Sequence, residues 1–374
     1  MPAEVPAEVP SDVPAGSAPQ DSSGAVDAMV DWALAARIGG RLAGEGPTVS
    51  RAEADGAVAE LRAGAERSTG LVRDFTGLDA PEGTAPVLVV DRAGWVQANA
   101  DSFRHILGPV VEALTAKKGP PSGLARAVGS RVTAAEGGGL LGFLGSKVLG
   151  QFDPFDEPHG RLLLVAPNVV HVERELGVDP HDFRLWVCLH EETHRVQFTA
   201  VPWMRGHLES EVASLAGTLT GGQDGEEGSG GLDDLVGKVS GLLREGVGRA
   251  GLIELLSSPE QRAVLDRVTG MMSLLEGHAD VVMDGVGPSV IPSVAAIRKR
   301  FDQRRQGVGQ LDRLLRRLLG MDAKMAQYRD GARFVRAVVD RVGTAEFNAV
   351  WAEPAHLPST AELADPDAWV ARVL

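Results

Sequence analysis

His190 and His194 enclose Glu191, Glu192 and Thr193 in the order H-E-x-x-H. On an α-helix that spacing sets both imidazoles on one face, a single turn apart, where both can reach one tetrahedral Zn2+. Glu191, between them, points toward the open position of such a metal and can take a proton from a water there. The chemistry implied is hydrolysis. The flanking residues specify the helix that this geometry needs. Asp179 can cap its start, Pro180 suits the first helical position, and Asp182 sits where a carboxylate favours the helix dipole. Phe183, Trp186, Val187, His190, His194 and Phe198 then recur at three- and four-residue steps along one face. Cys188 reads as a small core residue of the same helix. As the chain's one cysteine, it excludes both an internal disulfide and a cysteine-built zinc site.

A catalytic zinc takes a third protein ligand. The metzincin extension requires glycine three residues and a ligand six residues after the second histidine. Gln197 and Ala200 hold those positions, which excludes that subclass. Downstream, Glu276 and Asp280 are four apart on a predicted helix, in LLEGHADVVMDGVG. This resembles the gluzincin arrangement, in which a later helix supplies a glutamate ligand and an aspartate one turn on holds a ligand histidine by its far nitrogen. The likeness implies Glu276 as third ligand and Asp280 as orienter. His278, Glu209 and Glu211 are the rivals. Tyr328, the one tyrosine, is a candidate donor to the developing oxyanion; a buried structural hydroxyl is the alternative.

The elements that must position these residues are mostly helices. The chain has 374 residues, 44% of them apolar, which is enough for a sizeable core. Residues 1–24, with tandem AEVP and many Pro and Ser, read as a disordered tail without the basic and apolar regions of a secretory signal. Helical periodicity begins near Ala25 and resumes after Thr48 and Ser50. Val87–Asp91 and Arg161–Asn168 read as short strands, Leu124–Phe152 as a glycine-interrupted helical pair, and the chain from Asp179 onward as helical. The organisation expected is an N-terminal helical part over 25–150 and a catalytic part over 151–374, the latter broken by a mobile glycine-rich loop over 221–231. A β-augmented peptide is expected to lie along the strand that ends at Asn168. The expected fold class is mainly α with a small β-sheet next to the H-E-x-x-H helix, and the likeness to gluzincins implies a zincin-like domain.

A net charge of −14 argues against nucleic acid as a partner, and no apolar stretch is long enough to span a membrane. The expected location is cytoplasmic. Within this acidic chain, residues 296–341 carry thirteen Lys and Arg against five Asp, read as a solvated helix face paired with the acidic body. Asp153, Asp156, Glu157 and His159 read as a polar turn.

The segments LLLVAPN, VERELGVDPHDFRLWVCLHEETHRVQF, VPWMR, EGHADVVMD and QYRDGARFVRAV, in this order, resemble an actinobacterial family. Its members are described as zincin-like metallopeptidases or hydrolases, some of them associated with biosynthesis of a deazaflavin coenzyme. The resemblance covers roughly Ala25 to Ala352. It implies a zinc-protease-like fold and peptidase activity but no known substrate; the partner expected from the chemistry is a peptide or protein substrate. A zinc hydrolase of a non-peptide amide and a catalytically silent zincin-fold scaffold are the competing classes; Glu191 favours catalysis, because a scaffold needs the histidines but not the base.

Overall fold

The helix that carries His190 and His194 runs through the middle of the molecule, and the rest of the fold is arranged around it. The computed structural model describes Asp27 and residues 29–81, 85–118, 123–220, 258–306 and 321–374. The expected N-terminal tail and the glycine-rich loop over 221–231 lie outside the described residues. In chain order the helices are α1 (Trp32–Ala43), α2 (Arg51–Thr76), α3 (Arg92–Lys118), α4 (Gly123–Gly145), α5 (Ala166–Leu176), α6 (Pro180–Ala200), α7 (Met204–Thr220), α8 (Pro259–Val290), α9 (Val294–Gln306) and α10 (Met321–Val342). Short helices α11 (Thr344–Phe347), α12 (Thr360–Ala364) and α13 (Pro366–Val373) follow, with 3-10 turns at Asn348–Trp351 and Pro354–His356. Three strands, β1 (Val87–Val90), β2 (Gly150–Asp153) and β3 (Arg161–Val165), complete the chain's described elements. The fold is therefore mainly α with a small sheet.

The sheet order is β1-β3-β2, with β3 parallel to β1 and antiparallel to β2. β3 is central, so Leu162, Leu163, Leu164 and Val165 are all buried, and a continuous apolar run is what a two-sided strand requires. Two expectations change here. The strand ends at Val165, because Pro167 fixes the first turn of α5 and Asn168 is helical. Being central, β3 also has no free edge for a peptide; the edge beside α6 belongs to β2. β2 itself was hidden in the expected helical pair. In place of that pair there is one helix, α4, whose glycines serve close packing on α1. A Cβ on Gly138 would lie 2.6 Å from the Ala35 carbonyl oxygen, and one on Gly142 2.7 Å from that of Gly39.

α6 begins as its sequence dictates. Asp179 accepts from the Asp182 N–H at 2.9 Å, and Pro180 occupies the first turn. Asp182 also accepts from the backbone and hydroxyl of Ser293, tying the helix start to the α8–α9 turn. Phe183, Leu185, Trp186, Val187, Cys188 and Leu189 are buried in the main core, with α2, β3 and α8 around them. Arg184 pins α6 laterally, donating to Glu173 on α5 at 2.6 and 2.9 Å and to Glu60 on α2 at 2.7 Å. Such a network fixes register as well as position, since its partners are charged and fork-shaped. Among the described residues, no helix is long and apolar enough to cross a membrane.

Several of the described basic residues between 296 and 341 face acidic or carbonyl groups of the body. Arg304 meets Glu175, Arg336 meets Asp284, and Arg300 donates to the Leu176 carbonyl at the end of α5. The acidic turn is likewise a structural device: Asp153 accepts from Ser102 and Arg161, and Asp156 pairs with Arg161.

Candidate metal centre

His190 and His194 project from the C-terminal half of α6, and Glu276 reaches them from α8. The Glu276 Oε2 lies 3.6 Å from His190 Nε2 and 3.5 Å from His194 Nε2. One donor atom from each residue falls within 4.8 Å of the others, and the imidazole planes stand at 86°. Bond lengths of about 2.0–2.2 Å at tetrahedral angles put adjacent zinc ligands about 3.4 Å apart, which both carboxylate-to-imidazole distances match. Two imidazoles and one carboxylate form the donor set of a catalytic rather than a structural zinc, with a coordination position left open.

The electrostatics agree. Burial works against a charged His194, yet the carboxylates of Glu276 and Glu191 outweigh it and push its pKa up to about 9. A cation is favoured at this point, and in its absence the site holds a proton. Burial and the neighbouring charge of His194 act together on His278, pushing its pKa down to about 3.

The two neighbouring glutamates of the motif have separate surroundings. Glu191 is buried beside the edge strand: a Cβ on Gly150 of β2 would stand 2.5 Å from its Cγ and 3.0 Å from its Oε1. Only glycine at that place lets the strand pass so close to the side chain. Glu192 is fully buried and paired with Arg195 through contacts of 2.5 to 3.0 Å. Arg195 in turn donates to Thr69 on α2. Glu192 therefore holds the helix in place, while Glu191 remains with the histidines.

α8 owes its placement to an unusually close crossing with α10. A Cβ on Gly277, next to Glu276, would lie 2.1 Å from the Gly331 carbonyl carbon, and one on Gly331 1.8 Å from the Ser273 carbonyl oxygen. Backbone meets backbone there, and the glycine in EGHAD is what allows it.

The other candidates fall elsewhere. Asp280 does not orient a histidine: its carboxylate and carbonyl accept from Arg298 on α9 at 3.3 and 3.0 Å. At 100° per residue, a position four beyond Glu276 is rotated about 40° away from it, toward α9, whereas the position seven beyond returns to within about 20°. That second position is Met283, and its sulfur lies 3.2 Å from His190 Nδ1. The Nδ1 of His194 lies 2.9 Å from Gln197 Oε1. His278 is buried between Phe347 and Trp351, with its Nδ1 3.0 Å from Gln197 Nε2. Glu211 forms a two-bonded pair with Arg267 at 2.7 and 2.8 Å, and Glu209 sits on Arg205 and near His105. Tyr328 belongs to α10, in a stretch whose side chains fall outside the described residues. Cys188 donates to the Leu61 carbonyl, and burial, with Glu191 and Glu192 nearby, raises its pKa far above the ordinary thiol value, so it is no nucleophile. Gln197 and Met283 are the residues that motif reading missed. Both stand at helical spacing from a ligand, at three and seven residues, which is the signal that could have found them.

The family model for zincin-like metallopeptidases matches residues 30–370. The chain belongs to that family. It is also similar to a solved structure from Chloroflexus aurantiacus described as "a putative hydrolase with a novel fold", at 31% identity and a TM-score of 0.66 over 92% of this chain and 98% of that one. No curated protein matches. Membership of the zincin-like metallopeptidases agrees with the converging His190, His194 and Glu276, and the match across nearly the whole chain includes the N-terminal helices as well as the motif helix.

Proposed function

We propose that this protein is a zinc-dependent metallopeptidase in which His190, His194 and Glu276 hold the metal. The observation that carries the reading is the convergence of Glu276, 82 residues beyond His194, on both Nε2 atoms at 3.5 and 3.6 Å. A Zn2+ bound there would supply a Lewis acid that acidifies water and polarises the scissile carbonyl. Glu191 is the general base: its buried carboxylate takes the proton from the attacking water and delivers it to the leaving amine. Tyr328, on the helix that crosses α8 beside Glu276, is the proposed donor to the oxyanion. The edge strand β2, which passes over Glu191, replaces β3 as the edge for an extended chain.

Cleavage of a peptide library by the zinc-loaded protein and by Glu191→Gln tests this. The expected result is cleavage by wild type alone, with both proteins binding one zinc. Zinc uptake without any cleavage that the variant lacks contradicts the peptidase reading and leaves the metal site standing.

A further inference from the structure

Gln197 is fully buried on α6, one turn beyond His194, and its carboxamide is held on three sides. Its Nε2 donates to the Leu275 carbonyl at 3.0 Å and lies 3.0 Å from His278 Nδ1. A carbonyl oxygen can only accept, so the NH2 end must face Leu275. The Oε1 end then faces His194 Nδ1 at 2.9 Å, and because it too can only accept, Nδ1 must carry a hydrogen. That leaves Nε2, the atom that faces Glu276, as the nitrogen that gives up its proton when a metal binds.

We infer that Gln197 is a positioning residue for the metal centre, fixing His194 as an Nε2 ligand, and that His278 clamps the carboxamide in the one orientation that can do so. The inference rests on the zinc reading above. His278 suits the clamp. It is buried against Phe347 and Trp351, at ring separations of 5.7 and 5.2 Å, and its Nδ1 is the acceptor for the amide. The sulfur of Met283, 3.2 Å from His190 Nδ1, is a weaker acceptor than the Gln197 carbonyl oxygen.

The test compares wild type, Gln197→Leu, Gln197→Glu, His278→Phe and Met283→Leu. Zinc affinity is measured by chelator competition, and the tautomer by imidazole nitrogen NMR of the zinc-loaded proteins. Wild type should show His194 protonated at Nδ1 and metal-bound at Nε2. Gln197→Leu should lose roughly 10- to 100-fold in zinc affinity, the usual cost of removing an outer-shell partner. Gln197→Glu, which keeps the acceptor, should recover most of that loss. Met283→Leu should change affinity less than Gln197→Leu. His278→Phe keeps the aromatic packing and removes the acceptor, so it tests the clamp even if Gln197→Leu does not fold; it should lower affinity by a smaller factor. Wild-type affinity and an unchanged His194 spectrum in a folded Gln197→Leu overturn the inference, as does a folded Gln197→Glu no better than Gln197→Leu. If wild type takes up no zinc, the metal reading fails instead. The inference is then judged on the metal-free protein, where a slowly exchanging His194 Nδ1 proton lost in Gln197→Leu upholds it and one retained there overturns it.

Discussion

Replacing Gly277 by Ala adds one methyl group where α8 and α10 cross. Alanine is the better helix former by about 1 kcal/mol, so propensity alone makes this change stabilising. The crossing reverses the sign. The new Cβ would stand 2.1 Å from the Gly331 carbonyl carbon and 2.3 Å from the Ala332 nitrogen. Reaching an ordinary contact of 3.4 Å demands a separation of 3.4 − 2.1 = 1.3 Å, and both sides are backbone, so no side chain can yield. Overpacking of this kind costs about 1–3 kcal/mol and sometimes more, and the rigid geometry here points to the upper end, leaving a net loss of about 2 kcal/mol. Gly56 in α2, with nothing within 4 Å of its added Cβ, provides the opposite case. Gly56→Ala should gain about 0.5–1 kcal/mol. Urea denaturation followed by far-UV circular dichroism measures both. Because Glu276 adjoins the crossing, Gly277→Ala should also weaken zinc binding while Gly56→Ala leaves it unchanged. A Gly277→Ala protein as stable as Gly56→Ala, with wild-type zinc affinity, would refute the crossing and with it the placement of Glu276.

Three further outcomes are expected. Gly150→Ala should push the Glu191 carboxylate aside and lower kcat by about 100-fold, the scale of a 1 Å misplacement, without changing zinc affinity, since no ligand is touched. Glu192→Ala should destabilise the fold by about 3–5 kcal/mol by stranding the buried Arg195, in contrast to Glu191→Gln, which should melt like wild type; unfolding midpoints of the two variants decide this. Burial works against the Glu362 carboxylate, but hydrogen bonds from Arg372 and Ser359 prevail and lower its pKa. Its folded pKa is thus below the unfolded one, so its contribution is fully present above about 4.5 and is lost as pH falls through the lowered value. Melting temperatures measured from neutral to acid pH should converge for wild type and Glu362→Gln at the acid end, and parallel curves would refute the assignment.

The motif helix was legible because local chemistry dictates it: Asp179, Pro180 and the apolar face act within a few residues of one another. His190, Glu191 and His194 follow from the same periodicity. Glu276 was reached only through likeness to a ligand pattern, since nothing local to the motif says which of several distant carboxylates will return to it. Asp280 shows where that likeness fails, because a one-turn spacing places a carboxylate near a face but the neighbouring helix, here α9 with Arg298, claims it. β2 was invisible for a different reason. Its four residues, Gly-Gln-Phe-Asp, carry little strand preference, and it forms by pairing with β3 in a register set over α6. Glycine runs in α4 looked like interruptions; their role is tertiary, and the sequence of α4 alone does not name α1 as the partner.

The central claim is that α6 and α8 together build one zinc site. Zinc-edge anomalous diffraction from crystals of the zinc-loaded protein tests it most directly. A single strong peak bonded to His190 Nε2, His194 Nε2 and Glu276 is expected, with Glu191 beside its remaining position and not bonded to it. A peak elsewhere, or one on the histidines with Glu276 turned away, would contradict it.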